Sequence, residues 1–304
     1  MTQARSSVRV VFMGNHTVGV RVLEVLAEMA EVAGVVAHPP DPEDGVRYAS
    51  VHDYATRQGF SVIRATGRAS ELAEFIADKH PDLLWITDYR YLVPPSILSC
   101  ARLGAVNLHP SLLPTYRGRA SINWAILNGE TTLGLTGHLV DATMDGGDII
   151  EQVSYQIGDD QDVGDCLEIL YPLYASMTRK IVSHFLSGNV PKLRQDQTRA
   201  TAFPARRPQD GVIDWNQSGR SILNLIRAVA KPYPGAFTTL HGRKLIVWKA
   251  RIVSETGTGA APGCVLEADH AQILVQCGAG VLALLCVEVQ DPNERITVGC
   301  RLNT

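Results

Sequence analysis

Six cysteines in 304 residues give no C-x-x-C spacing anywhere. That absence removes the usual zinc and dithiol redox patterns. A chain of this length buries enough apolar surface to need no disulfide staples, so free thiols in a reducing compartment are expected. No apolar run approaches the roughly 18 residues that a membrane helix requires. The opening MTQARSSVRV lacks the apolar core of a signal peptide, which points to the cytoplasm. Neither sign of charge dominates: 28 Lys and Arg stand against 31 Asp and Glu, a net of −3. Nucleic acid and acidic membranes therefore find little to hold. None of the nine histidines repeats as H-x-x-x-H or H-E-x-x-H, so no metal is expected. What remains is a chain 45% hydrophobic and 19% charged, the balance of a folded globular protein.

Residues 8–13 (VRVVFM) are apolar and β-branched and run into Gly14, as a buried first strand does. Helical spacing follows over 17–29, with Thr17 as expected N-cap. Strands are expected at 32–36, 60–63, 83–87 and 104–108, and helices at 50–59 and 69–79. This alternation predicts an α/β fold with a parallel sheet covered by helices. Ligands of such sheets sit beyond the carboxyl ends of the strands. Residues 133–140 and 149–157 are β-like, and 162–186 reads as a long helix capped by Asp162. The polar, basic stretch 187–208 has no apolar period and reads as a linker. Beyond it lie a helix at 222–229 and short strands near 237–240, 244–249, 264–267, 273–277 and 282–285. Short strands broken by Gly, Pro and Asp predict a small barrel or sandwich. The expected division is 1–188 for a catalytic domain, 189–207 for the linker and 208–304 for a C-terminal domain.

Two segments carry chemistry. In 107–119 (NLHPSLLPTYRGR), Asn107 and His109 are two residues apart at a strand end, so both face one side. The prolines behind them stiffen the exit. In 140–150 (VDATMDGGDII), an acidic turn with paired glycines follows a strand; its acids do not match the calcium-loop spacing. A third segment, 14–19 (GNHTVG), has glycine only at its two ends. It lacks both the G-x-G-x-x-G fingerprint and the Lys-Ser/Thr of a P-loop. A tight strand-to-helix turn lining a pocket is the better reading.

Taken together, Asn107-x-His109-x-Ser111-Leu112-Leu113-Pro114, Asp145-x-Gly147-Asp148, Tyr89-Arg90-Tyr91-Leu92 and Arg206-Arg207-Pro208…Asp214-Trp215 resemble the folate-dependent formyltransferases over essentially the whole chain. The run Tyr116-Arg117-Gly118-Arg119-Ala120 and the pair Asn123-Trp124 resemble the branch that formylates amino sugars of sugar nucleotides, with the methionyl-tRNA formyltransferases next. The resemblance implies a Rossmann-like formyltransferase domain with a parallel-rich sheet, followed by a small OB-like β-barrel. It implies 10-formyltetrahydrofolate as donor and a primary amine as acceptor. By position it carries over Asn107, His109 and Asp145 as catalytic residues. It carries over Tyr91, Leu92, Val93, Arg119, Asp141, Ala142, Thr143, Met144 and Asp145 as folate contacts. Gly14, Asn15, Ser111, Tyr116 and Arg117 are expected near the acceptor.

The chemistry explains why such residues are used. Negative charge gathers on the oxygen of a migrating formyl group and needs preorganised donors. The Asn107 amide could supply one and a protonated His109 another, with Asp145 favouring the imidazolium. For the acceptor, a tRNA demands clustered cations. From Arg206 onward there are 11 Lys and Arg against 8 Asp and Glu, and the loop 38–45 (HPPDPEDG) is acidic. A small nucleotide-linked amino sugar suits that balance better. A specialised-metabolite or amino-acid amine stays open as acceptor, as does a catalytically silent binding protein on this fold. A homodimer is compatible with everything above.

Overall fold

The computed structural model describes residues 7–39, 48–65, 69–290 and 295–303. The strand β1 (Arg9–Gly14) leads into α1 (His16–Met29) and β2 (Glu31–Ala37). Next come α2 (Val51–Arg57), β3 (Val62–Arg64), α3 (Ala69–Asp78), β4 (Leu83–Thr87), α4 (Pro95–Leu98) and β5 (Ala105–His109). A two-residue strand β6 (Arg117–Gly118) precedes α5 (Ser121–Leu127), β7 (Thr132–Leu139), β8 (Ile149–Gln156) and the long α6 (Val163–Ser187). A second two-residue strand, β9 (Ala202–Phe203), pairs with β6 in parallel.

One sheet runs in the order β3-β2-β1-β4-β5-β7-β8. It is parallel from β3 to β5 and antiparallel where β5 meets β7. Strands β1 and β4 are buried on both faces, with Phe12, Met13, Leu84 and Trp85 fully enclosed. Each such side chain removed from water contributes about 1.5–3 kcal/mol. That explains why these strands read as unbroken apolar runs rather than alternating ones. The strand order reverses direction between β1 and β4, and Gly14, Thr87 and His109 stand at neighbouring carboxyl ends. In this fold class, ligands are expected beside that switch point.

The second sheet has the order β10-β11-β14-β13-β12, antiparallel throughout. Its strands are β10 (Ala236–Leu240), β11 (Arg243–Ser254), β12 (Val265–Ala268), β13 (Ile273–Gln276) and β14 (Val281–Val289), preceded by α7 (Gly219–Ala228). Residues 301–303 bridge to Cys264 beside β12 and to Thr239 in β10. One short segment thus joins both edges and closes the expected small barrel. Trp215 is buried there, its Nε1 donating to Thr238 Oγ1 at 3.0 Å, so it belongs to the core.

Several details depart from the sequence reading. Thr17 lies inside the first turn of α1; Asn15 is the N-cap residue, and no side chain caps the helix. Asp162 does cap α6, accepting from the N–H groups of Gly164 and Asp165. The short helices α4 and α5 were not anticipated. The chain divides into two units, Met1–Ser121 with Leu133–Tyr155 and Glu168–Phe203, and Ile122–Thr132 with Gln156–Leu167 and Pro204–Thr304. The stretch expected as linker, 189–207, is accordingly split after Phe203, and its first part returns to the first unit as β9. Residues 40–45 of the acidic loop lie outside the described residues.

Candidate active site

The expected trio meets at the carboxyl end of β5. His109 is 5% exposed, and its Nδ1 lies 3.7 Å from Asp145 Oδ2. Asn107 Nδ2 is 3.3 Å from Asp145 Oδ1. Two residues apart on a strand, Asn107 and His109 share a face; the turn after β7 brings Asp145 across to them. The geometry adds a residue that the sequence reading passed over. His138, buried in β7, stands opposite Asn107 in the antiparallel pairing. Its Nδ1–H donates to the Leu139 carbonyl at 2.8 Å, which leaves Nε2 facing Asn107 Nδ2 at 3.2 Å. The signal was present as a histidine at the inward position of an extended run seven residues before Asp145. It carried no weight until β5 and β7 were known to pair.

The two amide hydrogens of Asn107 are thus directed at Asp145 and His138. The amide braces the carboxylate, whereas a free oxyanion donor was expected. The second expected donor also changes. His109 Nε2–H donates to the Tyr116 carbonyl at 2.8 Å, which places the lone pair of a neutral ring on Nδ1. Burial pushes the imidazole below its ordinary value of 6.5; Asp145 and the Tyr116 carbonyl favour the charged form but do not overcome it. The resting residue is therefore a neutral base, not the imidazolium that proximity to Asp145 alone suggested. Burial by itself would raise the Asp145 carboxyl. His109, the adjacent His138 and the Gly118 N–H at 2.9 Å outweigh that and hold it well below the usual carboxylate range. At neutral pH the pair is His109 neutral and Asp145 ionised. A ring-¹⁵N NMR titration is expected to find His109 protonated only on Nε2 at pH 6.5 and still uncharged there; imidazolium signals at that pH would overturn the assignment.

The loop 115–120 presses on this pair. Tyr116 has φ +59° and Asp145 φ +51°, left-handed values that side-chain-bearing residues hold only when their surroundings insist. For Tyr116 the insistence comes from Thr201 Oγ1, which accepts its N–H at 2.9 Å, and from Phe203, whose ring stacks on it at 5.1 Å. Gly118 has φ +93°, and a Cβ there would collide with the Phe203 carbonyl, so β9 can press against β6 only at a glycine. Gly147 is required in the same way beneath the Leu139 carbonyl.

The remaining expected residues divide. Tyr91 is 53% and Leu92 81% exposed, and Met144 is exposed as well, so each leaves apolar surface open to solvent. Val93 and Val140 pack on the same core cluster, which anchors the two loops. His38 lies 4.6 Å and 5.2 Å from the Tyr89 and Tyr91 rings, and its Nε2 accepts the Arg90 N–H. Burial pushes His38 down to about 4, with Arg90 adding to the effect, so the ring stays an acceptor. Asp141 Oδ1 accepts from the Thr143 N–H and hydroxyl, which shapes the turn carrying Ala142. Arg119 is exposed, and its guanidinium has no partner among the described residues. Gly14 and Asn15 lie at the end of β1, where the Asn15 amide nitrogen is buried without a partner among the described residues. Ser111 is buried and donates to the Thr115 carbonyl, so it braces the turn instead of facing a ligand. Tyr116 contributes its carbonyl. Arg117, expected near the acceptor, is already held: Nη2 reaches Gln195 Oε1 at 2.6 Å and Nη1 reaches Gln197 Oε1 at 3.0 Å.

Comparison with known proteins gives the family of the chain. The formyl transferase family matches residues 8–170, and the formyl transferase C-terminal domain matches 206–299. A methionyl-tRNA formyltransferase of Acetivibrio thermocellus is 34% identical over 295 residues, 95% of this chain and 94% of that protein. Among solved structures, the sugar 3N-formyl transferase WlaRD, crystallised with dTDP and 5-N-formyl-THF, superposes with TM-score 0.68 at 18% identity, covering 95% of this chain and 99% of its own. An N-formyltransferase of Helicobacter canadensis, in complex with folinic acid and dTDP-3-aminofucose, gives TM-score 0.66 at 20% identity, covering 91% and 99%. With both halves of the chain matched and the His109–Asp145 pair at the head of its sheet, this protein belongs to the formyl transferase family.

Proposed function

We propose that the chain moves a formyl group from 10-formyltetrahydrofolate to the primary amine of a nucleotide-linked amino sugar, in the cytoplasm. The observation that carries the transfer is the buried His109, with its Nδ1 lone pair beside an ionised carboxylate. An attacking amine must lose a proton, and Nδ1 is the atom placed to take it. The imidazolium so formed is stabilised by Asp145 at 3.7 Å. Its new Nδ1–H can then face the oxygen on which charge gathers and return the proton to the departing nitrogen. Asn107 and His138 fix the carboxylate from the other side.

The donor fits the residues present. Exposed Tyr91, Leu92 and Met144 supply an apolar slot, the 141–145 turn supplies backbone groups for a flat polar edge, and unpartnered Arg119 can fork onto a carboxylate. When bound, the folate supplies an activated one-carbon unit; the chain supplies orientation and proton handling. Both crystallised relatives above hold formylated folates, and one holds an amino sugar linked to dTDP.

A methionyl-tRNA acceptor is the second reading, favoured by the 34% identical relative. The net charge of −3 and the modest cation excess beyond Arg206 support the smaller acceptor. An acceptor panel with 10-formyltetrahydrofolate separates the two, read by tetrahydrofolate release. Amino sugars linked to UDP or dTDP are expected to turn over. Turnover with methionyl-tRNA alone would replace this acceptor by the second, and turnover only with a free amino acid or another metabolite amine would replace it by that class. No tetrahydrofolate release with any of the amines would favour a catalytically silent binding protein on this fold.

A further inference from the structure

One side chain outside the trio grips the catalytic turn from below. Gln195 is 4% exposed and follows α6 in the stretch whose composition reads as linker. Its Nε2 donates to the carbonyls of Asp145 at 2.8 Å and Gly147 at 2.7 Å. Its Oε1 accepts from Arg117 Nη2 at 2.6 Å and Nε at 3.3 Å. Both hydrogens and both lone pairs of the amide are therefore engaged. Through them the turn bearing Asp145 is tied to the loop bearing Gly118, whose N–H holds the Asp145 carboxylate. The tie is anchored at both ends. Leu193 exchanges backbone hydrogen bonds with Ile149 in β8, and Thr201 and Phe203 accept the Arg117 and Arg119 N–H groups.

We propose that Gln195 is a positioning residue for formyl transfer, holding the Asp145 carboxylate against His109 by clamping the main chain on both sides of Gly146. Asp145 occupies a left-handed conformation, which aspartate adopts more readily than most residues but only as a minority state, and a restraint from outside the turn favours it. Gln195 supplies that restraint without reaching the reacting atoms. A fork between Arg117 and the backbone does what an acid at that place could not: a carboxylate would still take the Arg117 hydrogens but has no N–H to give the two carbonyls. The inference rests on the reading above that Asp145 and His109 act in the transfer.

Two variants test it. In Gln195→Leu the whole clamp is lost; in Gln195→Glu the length and the Arg117 contact are kept, while the two donors give way to a carboxylate oxygen that the carbonyls of Asp145 and Gly147 repel. Each is assayed with the best acceptor of the panel, with kcat normalised to sites titrated by 5-formyltetrahydrofolate, so that only folded enzyme counts. Both are expected to lose about 10- to 100-fold in kcat, the effect of roughly an ångström of misplacement. The KM for the donor and the dissociation constant of 5-formyltetrahydrofolate should change much less than kcat, because Gln195 engages only the main-chain carbonyls of residues 145 and 147 and reaches no other group of the turn. Wild-type kcat in Gln195→Glu would overturn the inference. So would a rise in KM at unchanged kcat, which would make Gln195 part of the binding surface. Should Gln195→Leu fail to fold, the Glu variant decides alone. Asp145→Asn run alongside keeps the two levels apart: an active Asn variant sinks the catalytic reading itself, whereas an inactive one beside a fully active Gln195→Glu sinks only the clamp.

Discussion

Replacing His109 by glutamine is expected to lower kcat by about 10²- to 10⁴-fold, the usual contribution of a positioned acid–base group. Glutamine is the informative choice. Its terminal amide reaches about as far as the ring Nε2 and can keep the hydrogen bond to the Tyr116 carbonyl. The left-handed loop 115–120 then stays in place while the basic Nδ1 is gone. His109→Ala should lose as much activity but also stability, since it leaves a buried gap and an unpaired carbonyl. Circular dichroism and 5-formyltetrahydrofolate binding separate the two causes. A glutamine variant that turns over like wild type would show that no proton passes through this ring.

Asp145→Asn is expected to cost about 10³- to 10⁴-fold in kcat, by analogy with carboxylates that orient a histidine in hydrolases. Asparagine tolerates the left-handed backbone at this position and still accepts the Gly118 N–H, so the turn should survive. What disappears is the negative charge that stabilises the imidazolium once His109 has taken its proton. The sign matters for pH. The Asp145 carboxyl is held below the usual range, so the wild-type enzyme keeps that charge as pH falls through the ordinary carboxylate range. Activity lost on mild acidification should therefore track the protonation of His109 or of the amine itself. Full kcat in the Asn variant would separate Asp145 from the chemistry.

The parts of this molecule most legible in its sequence are those set by short-range patterns. The apolar runs at 8–13 and 83–87 announced central parallel strands because both faces of those strands are buried. Asn107 and His109 were legible as a pair because strand periodicity fixes their common face. Their protonation was not. The proximity of Asp145 suggested a charged ring, and only the enclosure of His109 reverses that balance. His138 was missed because its role depends on β5 pairing with β7, a contact across 31 residues. Gln195 was missed for a related reason: a polar stretch without apolar rhythm looks like a tether, and nothing local says that it returns to the sheet. The resemblance put Arg117 near the acceptor by position; in the structure Gln195 and Gln197 accept its hydrogens.

The strap from Gln195 to Phe203 also imposes an order of events on synthesis. Every residue of the trio has been made by position 145, yet the groups that steady them, from Gln195 to Phe203, lie 50 to 58 residues further along. A chain emerging from the ribosome therefore carries its complete chemical equipment long before it can aim it, and a fragment cut at the end of α6 would have all three residues without the means to hold them. Competence therefore waits until the strap has been made and β9 has paired with β6.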